Sequence, residues 1–245
     1  MHVRNILEEI ITHRPAHLTL IDPAKQSPDR AGEIAVNADK FGTDGFLIGG
    51  STGVYQSNLS ETVDAVKSVT KKPVIFFPGH DKAYSLSFDA MLYLSLLNSR
   101  NVKYVIRSQA ESALLLKKLN VEVLSTGYII VSPGMRVGDV GEVDLIRRDD
   151  IWIVTGYAAA AEMLGFNYLY LECGSGSPVT VPPEMVRAVK KTVDIPVIVG
   201  GGIRTAGVAR QLVAAGADIL VTGTVVERHE YKQRLAEIIT AVHSS

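Results

Sequence analysis

The sequence predicts a single (β/α)8 barrel, an α/β fold of the TIM type, and three observations predict it. Eight short apolar stretches recur along the chain; helical spacing fills most of the intervals between them; and every stretch ends in Gly, Ser, Thr or Asp. The 245 residues match the size of one such domain. No linker or shift in composition marks a second domain within 1–245. An open doubly wound sheet is the runner-up, but the strand count and the even spread of polar strand ends favour the closed ring.

Taken in order, residues 5–13 read as a short helix. Residues 17–22, H-L-T-L-I-D, form the first strand, and Pro23 prevents its continuation. Helical spacing over 30–41 precedes a second strand over 45–50, followed by Ser51, Thr52 and Gly53. A helix over about 60–69 leads to the third strand, 73–77, closed by Pro78, Gly79 and His80. Residues 81–88 have no clean helical face, so irregular structure is expected to replace the helix there. The fourth strand covers 90–97. A helix over 108–119 is expected to set Leu114 to Leu119 on its apolar side, and a fifth strand over 121–131 ends at Ser132, Pro133 and Gly134.

An Asp- and Arg-rich insertion, 135–152, reads as a surface excursion, with Arg147, Arg148, Asp149 and Asp150 in a solvated turn or a subunit contact. Residues 157–164, with Ala158 to Ala161, are a strong helix by propensity. The sixth strand lies in F-N-Y-L-Y-L-E-C, starting at Phe166, and runs into the loop G-S-G-S-P-V. Pro182 and Pro183 open a helix, since proline is tolerated in a first turn. The seventh strand, 196–199, meets Gly200, Gly201 and Gly202. A helix over 205–215 stops at Gly216, and the eighth strand, 218–222, leads to Gly223 and Thr224 before a last helix ending near Val242.

Composition excludes several classes of function. Hydrophobic residues make up 47%, enough for a sizeable core and too many for a disordered chain. The net charge of −1 gives no bulk footprint for nucleic acid or a membrane surface. The single cysteine, Cys173, excludes an internal disulfide framework and a cysteine zinc cluster. The start of the chain is polar, without a leader pattern, and no apolar run reaches the ~18 residues of a spanning helix. A cytoplasmic protein is expected.

In a parallel barrel all strand C-termini share one rim, where the site lies. Asp22, Ser51, Glu172, the loop 174–176, Gly200 to Gly202, Gly223 and Thr224 therefore converge there. Alternation places Tyr170 and Glu172 on one face of the sixth strand and sends Cys173 outward as a small hydrophobe. An acid on a buried strand is costly to keep unless something uses it. It serves either the reaction, accepting a proton from a substrate hydroxyl or facing a developing positive charge, or the core, as a carboxylate paired with a lysine or arginine; its place just before a glycine loop favours the reaction. The two glycine loops after strands seven and eight offer backbone N–H groups to a phosphate, with Ser175 and Thr224 adding hydroxyls. Asp22 and Ser51 suit a hard cation such as Mg²⁺, or Asp22 simply caps the D-P-A-K turn; spacing leaves both open. His13 and His17, four apart but without an H-E-x-x-H pattern, are not expected to bind metal. Phe76, Phe77, Tyr93 and Tyr128 are expected in the core, or, for an oil-like substrate chain, lining its groove at the strand ends.

Several motifs together resemble the geranylgeranylglyceryl phosphate synthase family: Asp22-Pro23-x-Lys25, Gly49-Gly50-Ser51, Tyr170-Leu171-Glu172-x-x-x-Gly176, Gly200-Gly201-Gly202-Ile203-Arg204 and Gly223-Thr224. Y-L-S-L-L-N-S from Tyr93 to Ser99 and G-Y-I-I-V from Gly127 to Val131 resemble it too. The resemblance spans strand one to strand eight. It implies a modified barrel with one helix replaced, and attack of the 3-hydroxyl of sn-glycerol 1-phosphate on C1 of a polyprenyl diphosphate, geranylgeranyl by default. It implies Mg²⁺ at Asp22 and Ser51, and glycerol phosphate on Tyr170, Leu171, Glu172, Cys173, Gly174, Ser175, Gly176, Gly201, Gly202, Gly223 and Thr224. Glu172 and Tyr170 would be the catalytic pair, and the protein a homo-oligomer, a dimer or a hexamer. Leu20 departs from some bacterial relatives, which carry lysine there, and the insertion suggests the longer, archaeal-type branch. A sugar-phosphate isomerase or synthase on the same phosphate loops, or a non-catalytic phosphate sensor, are the alternatives.

Overall fold

The computed structural model describes residues 2–50, 52–79, 85 and 87–244. Eight parallel strands close into a barrel in sequence order: β1 (Ala16–Ile21), β2 (Gly45–Ile48), β3 (Val74–Phe76), β4 (Ala90–Leu96), β5 (Val123–Ile130), β6 (Tyr168–Glu172), β7 (Val197–Gly200) and β8 (Ile219–Thr222). β1 pairs with β8 through Thr19 opposite Thr222, which completes the ring. Around it stand α1 (Val3–His13), α2 (Pro28–Phe41), α3 (Gln56–Lys67), α4 (Ser108–Lys118), α5 (Met135–Val140), α6 (Ile151–Met163), α7 (Pro183–Lys190), α8 (Ala206–Ala214) and α9 (Tyr231–His243).

Period-two alternation splits the strands between two cores. Leu18, Leu92, Tyr128, Tyr170, Ile198 and Val221 fill the barrel interior. Ile21, Ile129, Leu171, Cys173, Val199 and Leu220 pack outward against the helices. α1 lies across the end where the strands begin, since its Val3 and Leu7 join Ala16, Ala90 and Tyr168 in the inner cluster. Its first amides, of Val3 and Arg4, donate to the Glu122 carboxylate at 2.8 Å each. With that end covered, the opposite rim is the side where chemistry is possible.

A second buried polar seam ties the barrel wall to α9. His17 lies between Thr43 Oγ1 at 3.0 Å and Thr222 Oγ1 at 2.9 Å. Burial pushes its imidazole down to about 3, so it is neutral and structural, while His13 is exposed. Asp44 accepts from Arg14 at 2.7 Å, from the His17 amide at 2.9 Å, and meets His243 at 3.0 Å. Burial opposes ionisation of this carboxyl, but those bonds outweigh it and hold the group below the usual range.

Three expectations need correction. Helix α6 starts at Ile151, not near 157, because Asp150 caps it by accepting from the Ile153 amide at 3.2 Å. The segment 135–152 is not a loose excursion: it contains α5, forms bridges between Ser99 and Val143 and between Val131 and Ile146, and buries Val143 and Ile146. Helix α4 forms where expected, but only Leu116 is buried; Leu114 is 82% exposed, and Leu115 and Leu119 face solvent as well. A π-helix over Lys103–Arg107 that periodicity did not signal precedes it. The irregular structure expected at 81–88 falls largely on 81–84 and 86, outside the described residues.

Candidate active site

Glu172 ends β6 and aligns with Ile130 of β5 and Gly200 of β7. It is 7% exposed. Its Oε1 accepts from the Gly174 amide at 2.6 Å. The Tyr170 hydroxyl and the Cys173 amide also favour the ionised carboxylate. The neighbouring glycines make room for it. A Cβ on Gly200 would stand 2.3 Å from the Tyr170 hydroxyl and 2.8 Å from Glu172 Oε2; one on Gly201 would stand 2.2 Å from Oε1, at a backbone φ of +79°. Only glycine fits those two positions while the acid keeps its place. Burial pushes the Glu172 carboxyl up to about 7, against the pull of its hydrogen bonds. Such a group exchanges a proton near neutral pH, which is what a general base needs.

Beneath it the inner wall is aromatic. The Tyr170 ring meets Tyr128 with centroids 5.1 Å apart and Phe77 at 6.0 Å, both edge-on. Phe76 stacks on Phe88 instead. Tyr170 and Tyr128 are both held well above the usual phenol range by burial, with Glu172 adding to it, so both stay neutral donors.

The glycine loops converge as expected. The Gly176 amide donates to Thr224 Oγ1 at 3.0 Å, joining the loop after β6 to the loop after β8. Gly201, Gly202, Gly223 and Thr224 are half-buried, and Ser175 is exposed at the loop tip. Leu171 and Cys173 are fully buried in the outer core, so only their backbone borders the rim. Leu20 packs toward Gly223, with its Cδ2 3.1 Å from where a Cβ would stand there, and fills this wall with carbon.

On the far side of the rim, Asp22 follows β1 directly. The turn after it is pinned by Gln26, whose Oε1 accepts from the Asp22 amide at 2.8 Å. Asp22 Oδ1 accepts from the Ala24 amide at 3.0 Å, so the capping role is real. Oδ2 is left with Lys25 Nζ at 3.8 Å, while Lys25 itself pairs with Glu227 at 2.7 Å across the β1–β8 seam. Burial raises the Asp22 carboxyl above its ordinary range. A Cβ on Gly50 would lie within 2.5 to 2.8 Å of the carboxylate oxygens and carbon, so glycine keeps one flank of Asp22 clear. A hard oxygen with an open side fits Mg²⁺. Ser51, the expected second ligand, lies outside the described residues.

Two residues matter here that sequence reasoning left without a role. Arg204 closes the G-G-G-I-R run, and its Nη2 donates to the Gly176 carbonyl at 2.7 Å. Arg148, expected in a solvated turn, is half-buried, and its Nη1 donates to the Thr180 carbonyl at 2.7 Å. Only Arg147 and Asp149 form the exposed pair, 2.7 Å apart. An Arg-Arg-Asp-Asp run carries no signal for which member turns inward. The Y-L-S-L-L-N-S motif is a set of anchors: Ser95 Oγ donates to the Val105 carbonyl at 2.6 Å, Asn98 to Ile130 and Asp144 at 2.9 Å each, and Ser99 to Gly141 at 2.6 Å.

Comparison with known proteins gives the family of the chain. The PcrB family pattern matches residues 8–242. Geranylgeranylglyceryl phosphate synthase from Picrophilus torridus is 45% identical over 99% of this chain and 100% of its own length. The same enzyme from Methanosarcina acetivorans is 46% identical, with 100% of both chains covered. The crystal structure of (S)-3-O-geranylgeranylglyceryl phosphate synthase from Thermoplasma acidophilum, in complex with substrate sn-glycerol-1-phosphate, superposes with a TM-score of 0.97 at 40% identity over 100% of both chains. Matched over residues 8–242, and alike in fold and over the full length to these enzymes, the chain belongs to the PcrB family.

Proposed function

We infer that this protein is a prenyltransferase that joins sn-glycerol 1-phosphate to a polyprenyl diphosphate, geranylgeranyl diphosphate by default, through an ether bond. The observation that carries the inference is the buried acid of β6, raised to about 7 and wrapped by Gly200 and Gly201 beside the glycine loops. Full-length similarity to named synthases supports it.

The 3-hydroxyl oxygen of glycerol phosphate attacks C1 of the prenyl chain. The new C–O bond forms as the bond from C1 to the diphosphate oxygen breaks, and the electron pair leaves with diphosphate. The hydroxyl proton passes to ionised Glu172. Tyr170 orients the carboxylate by donating to it, and the glycerol beside it. Ser175 at the tip of the loop 174–176, with Gly201, Gly202, Gly223 and Thr224, holds the phosphate through backbone N–H groups and hydroxyls. Asp22, with Ser51, would hold Mg²⁺, whose chemistry there would be to neutralise charge on the leaving diphosphate. Tyr128, Tyr170 and Phe77 make a dry floor under the reacting carbon, which keeps water from intercepting an allylic cation.

Among the described residues no helix is long and apolar enough to cross a membrane; we place the enzyme in the cytoplasm, working on an amphiphilic substrate. Association of like copies belongs to the same reading, and the exposed Leu114, Trp152 and Met163 on the outer helices support it. The test is incubation with sn-glycerol 1-phosphate, Mg²⁺ and labelled prenyl diphosphates of several lengths. An ether product is expected, with most turnover at the geranylgeranyl length. Absence of product at every length overturns the reading.

A further inference from the structure

The loop after β6 is gripped from outside at two of its carbonyls. Arg204 Nη2 takes the Gly176 carbonyl and Arg148 Nη1 takes the Thr180 carbonyl, each at 2.7 Å. Arg148 also reaches toward the Ser132 carbonyl at 3.5 Å and Cys173 Sγ at 3.8 Å, which ties the far end of the loop to the β5 and β6 strand ends. Between the two grips, Ser177 donates through Oγ to the Val179 carbonyl at 2.6 Å, and its amide donates to the Gly174 carbonyl at 3.1 Å. Gly202 presses against the same stretch, since a Cβ there would stand 2.1 Å from the Val179 carbonyl oxygen. Four carbonyls of the loop, at Gly174, Gly176, Val179 and Thr180, are thus turned to protein donors. A carbonyl facing a phosphate repels it, and an amide attracts it. The amides of Gly174, Gly176, Ser177 and Val179 are themselves taken by Glu172 Oε1, Thr224 Oγ1, the Gly174 carbonyl and Ser177 Oγ, so engaging the carbonyls from behind leaves the Ser175 amide and hydroxyl at the loop tip for an anion.

The grip is not complete in hydrogen bonds. Arg204 Nε and Thr180 Oγ1 are both buried without a partner. Buried polar atoms left unpaired are uncommon and call for a reason. Both belong to this loop assembly, so the loop is held for something other than its own satisfaction.

We propose that Arg204 and Arg148 are positioning residues for the glycerol phosphate, which set the tip of the 174–180 loop, with the Ser175 amide and hydroxyl, by clamping the loop's carbonyls. The proposal rests on the reading of that loop as the phosphate site. The two guanidiniums fix the loop before the anion arrives, so their loss is felt in glycerol phosphate affinity rather than in the prenyl substrate.

The experiment is calorimetric titration of sn-glycerol 1-phosphate into wild type, Arg204→Met, Arg204→Lys and Arg148→Gln, with KM for prenyl diphosphate and the thermal midpoint measured on each. Arg204→Met is expected to weaken glycerol phosphate binding at least tenfold. Its KM for prenyl diphosphate should stay within twofold. Arg204→Lys should recover part of the loss, because it restores one donor and the charge. Arg148→Gln, at the far end of the loop, should weaken binding severalfold and keeps the test open if Arg204→Met does not fold. Unchanged glycerol phosphate affinity in folded Arg204→Met or Arg148→Gln overturns the proposal. Equal loss toward both substrates overturns it too, since that is the mark of a general folding defect. Failure of wild type to bind glycerol phosphate instead overturns the functional reading beneath it.

Discussion

At the scale of single residues, Glu172 carries the account, and its protonation is open to measurement. Its folded carboxyl titrates near 7, against an ordinary 4.5. The folded protein therefore keeps a proton that the unfolded chain has lost between about pH 4.5 and 7. Stability falls as pH rises through that window. Glu172→Gln should remove this fall and leave the protein more resistant to denaturant at pH 8 than wild type, as urea unfolding at pH 5 and pH 8 would show. Tyr170→Phe removes a hydrogen bond that favours the carboxylate. The inflection in its pH–rate profile should move to higher pH than in wild type; an inflection that stays in place would separate Tyr170 from the acid. Both residues were legible as a pair, because alternation puts them on one face of one strand. The partners of Arg148 and Arg204 were not, since a long side chain ends several ångströms from its backbone and sequence spacing does not say where.

At the scale of elements, the barrel is stitched at the end away from the site. Asp44 is buried among Arg14, the His17 amide and His243. Truncation leaves buried donors without a partner, so Asp44→Ala should cost about 3 kcal/mol in chemical denaturation. His17 adds a pH dependence of opposite sign to that of Glu172. Its folded imidazole titrates near 3 against an ordinary 6.5. Below about pH 6.5 the unfolded chain takes up a proton that the folded one refuses, so stability is lost as pH falls toward 3. A His17→Gln variant should flatten the acid limb between those values. Strands were readable because buried apolar runs bounded by glycine and proline leave little choice. Helix ends were less so: Asp150 caps α6 seven residues before Tyr157, where the alanine-rich stretch suggested it begins. Leu114, Leu115 and Leu119 look like a core face in sequence, and only their exposure corrects that. Periodicity reports that a helix has an apolar side, not what covers it.

At the scale of the whole molecule, the closed ring places Asp22 and Glu172, 150 positions apart in sequence, on one rim. That division is what the proposed reaction between two anionic substrates needs, which puts one anion at the β6–β8 loops and the other beside the β1–β2 ends, with an aromatic floor between them. Removal of divalent cations with a chelator should abolish turnover while leaving glycerol phosphate binding within about threefold, by calorimetry. A parallel loss of both would mean that the two anions share one site. The rim was legible from the fold class alone.

The most direct test of the central claim is the pre-steady-state rate of ether formation from pH 5 to 9, in wild type and in Glu172→Gln. The account predicts that the wild-type rate climbs with pH and levels off above an inflection near 7. It predicts that Glu172→Gln is at least ~100-fold slower and lacks that inflection, with glycerol phosphate affinity preserved. A glutamine variant that forms the ether at close to the wild-type rate would contradict it.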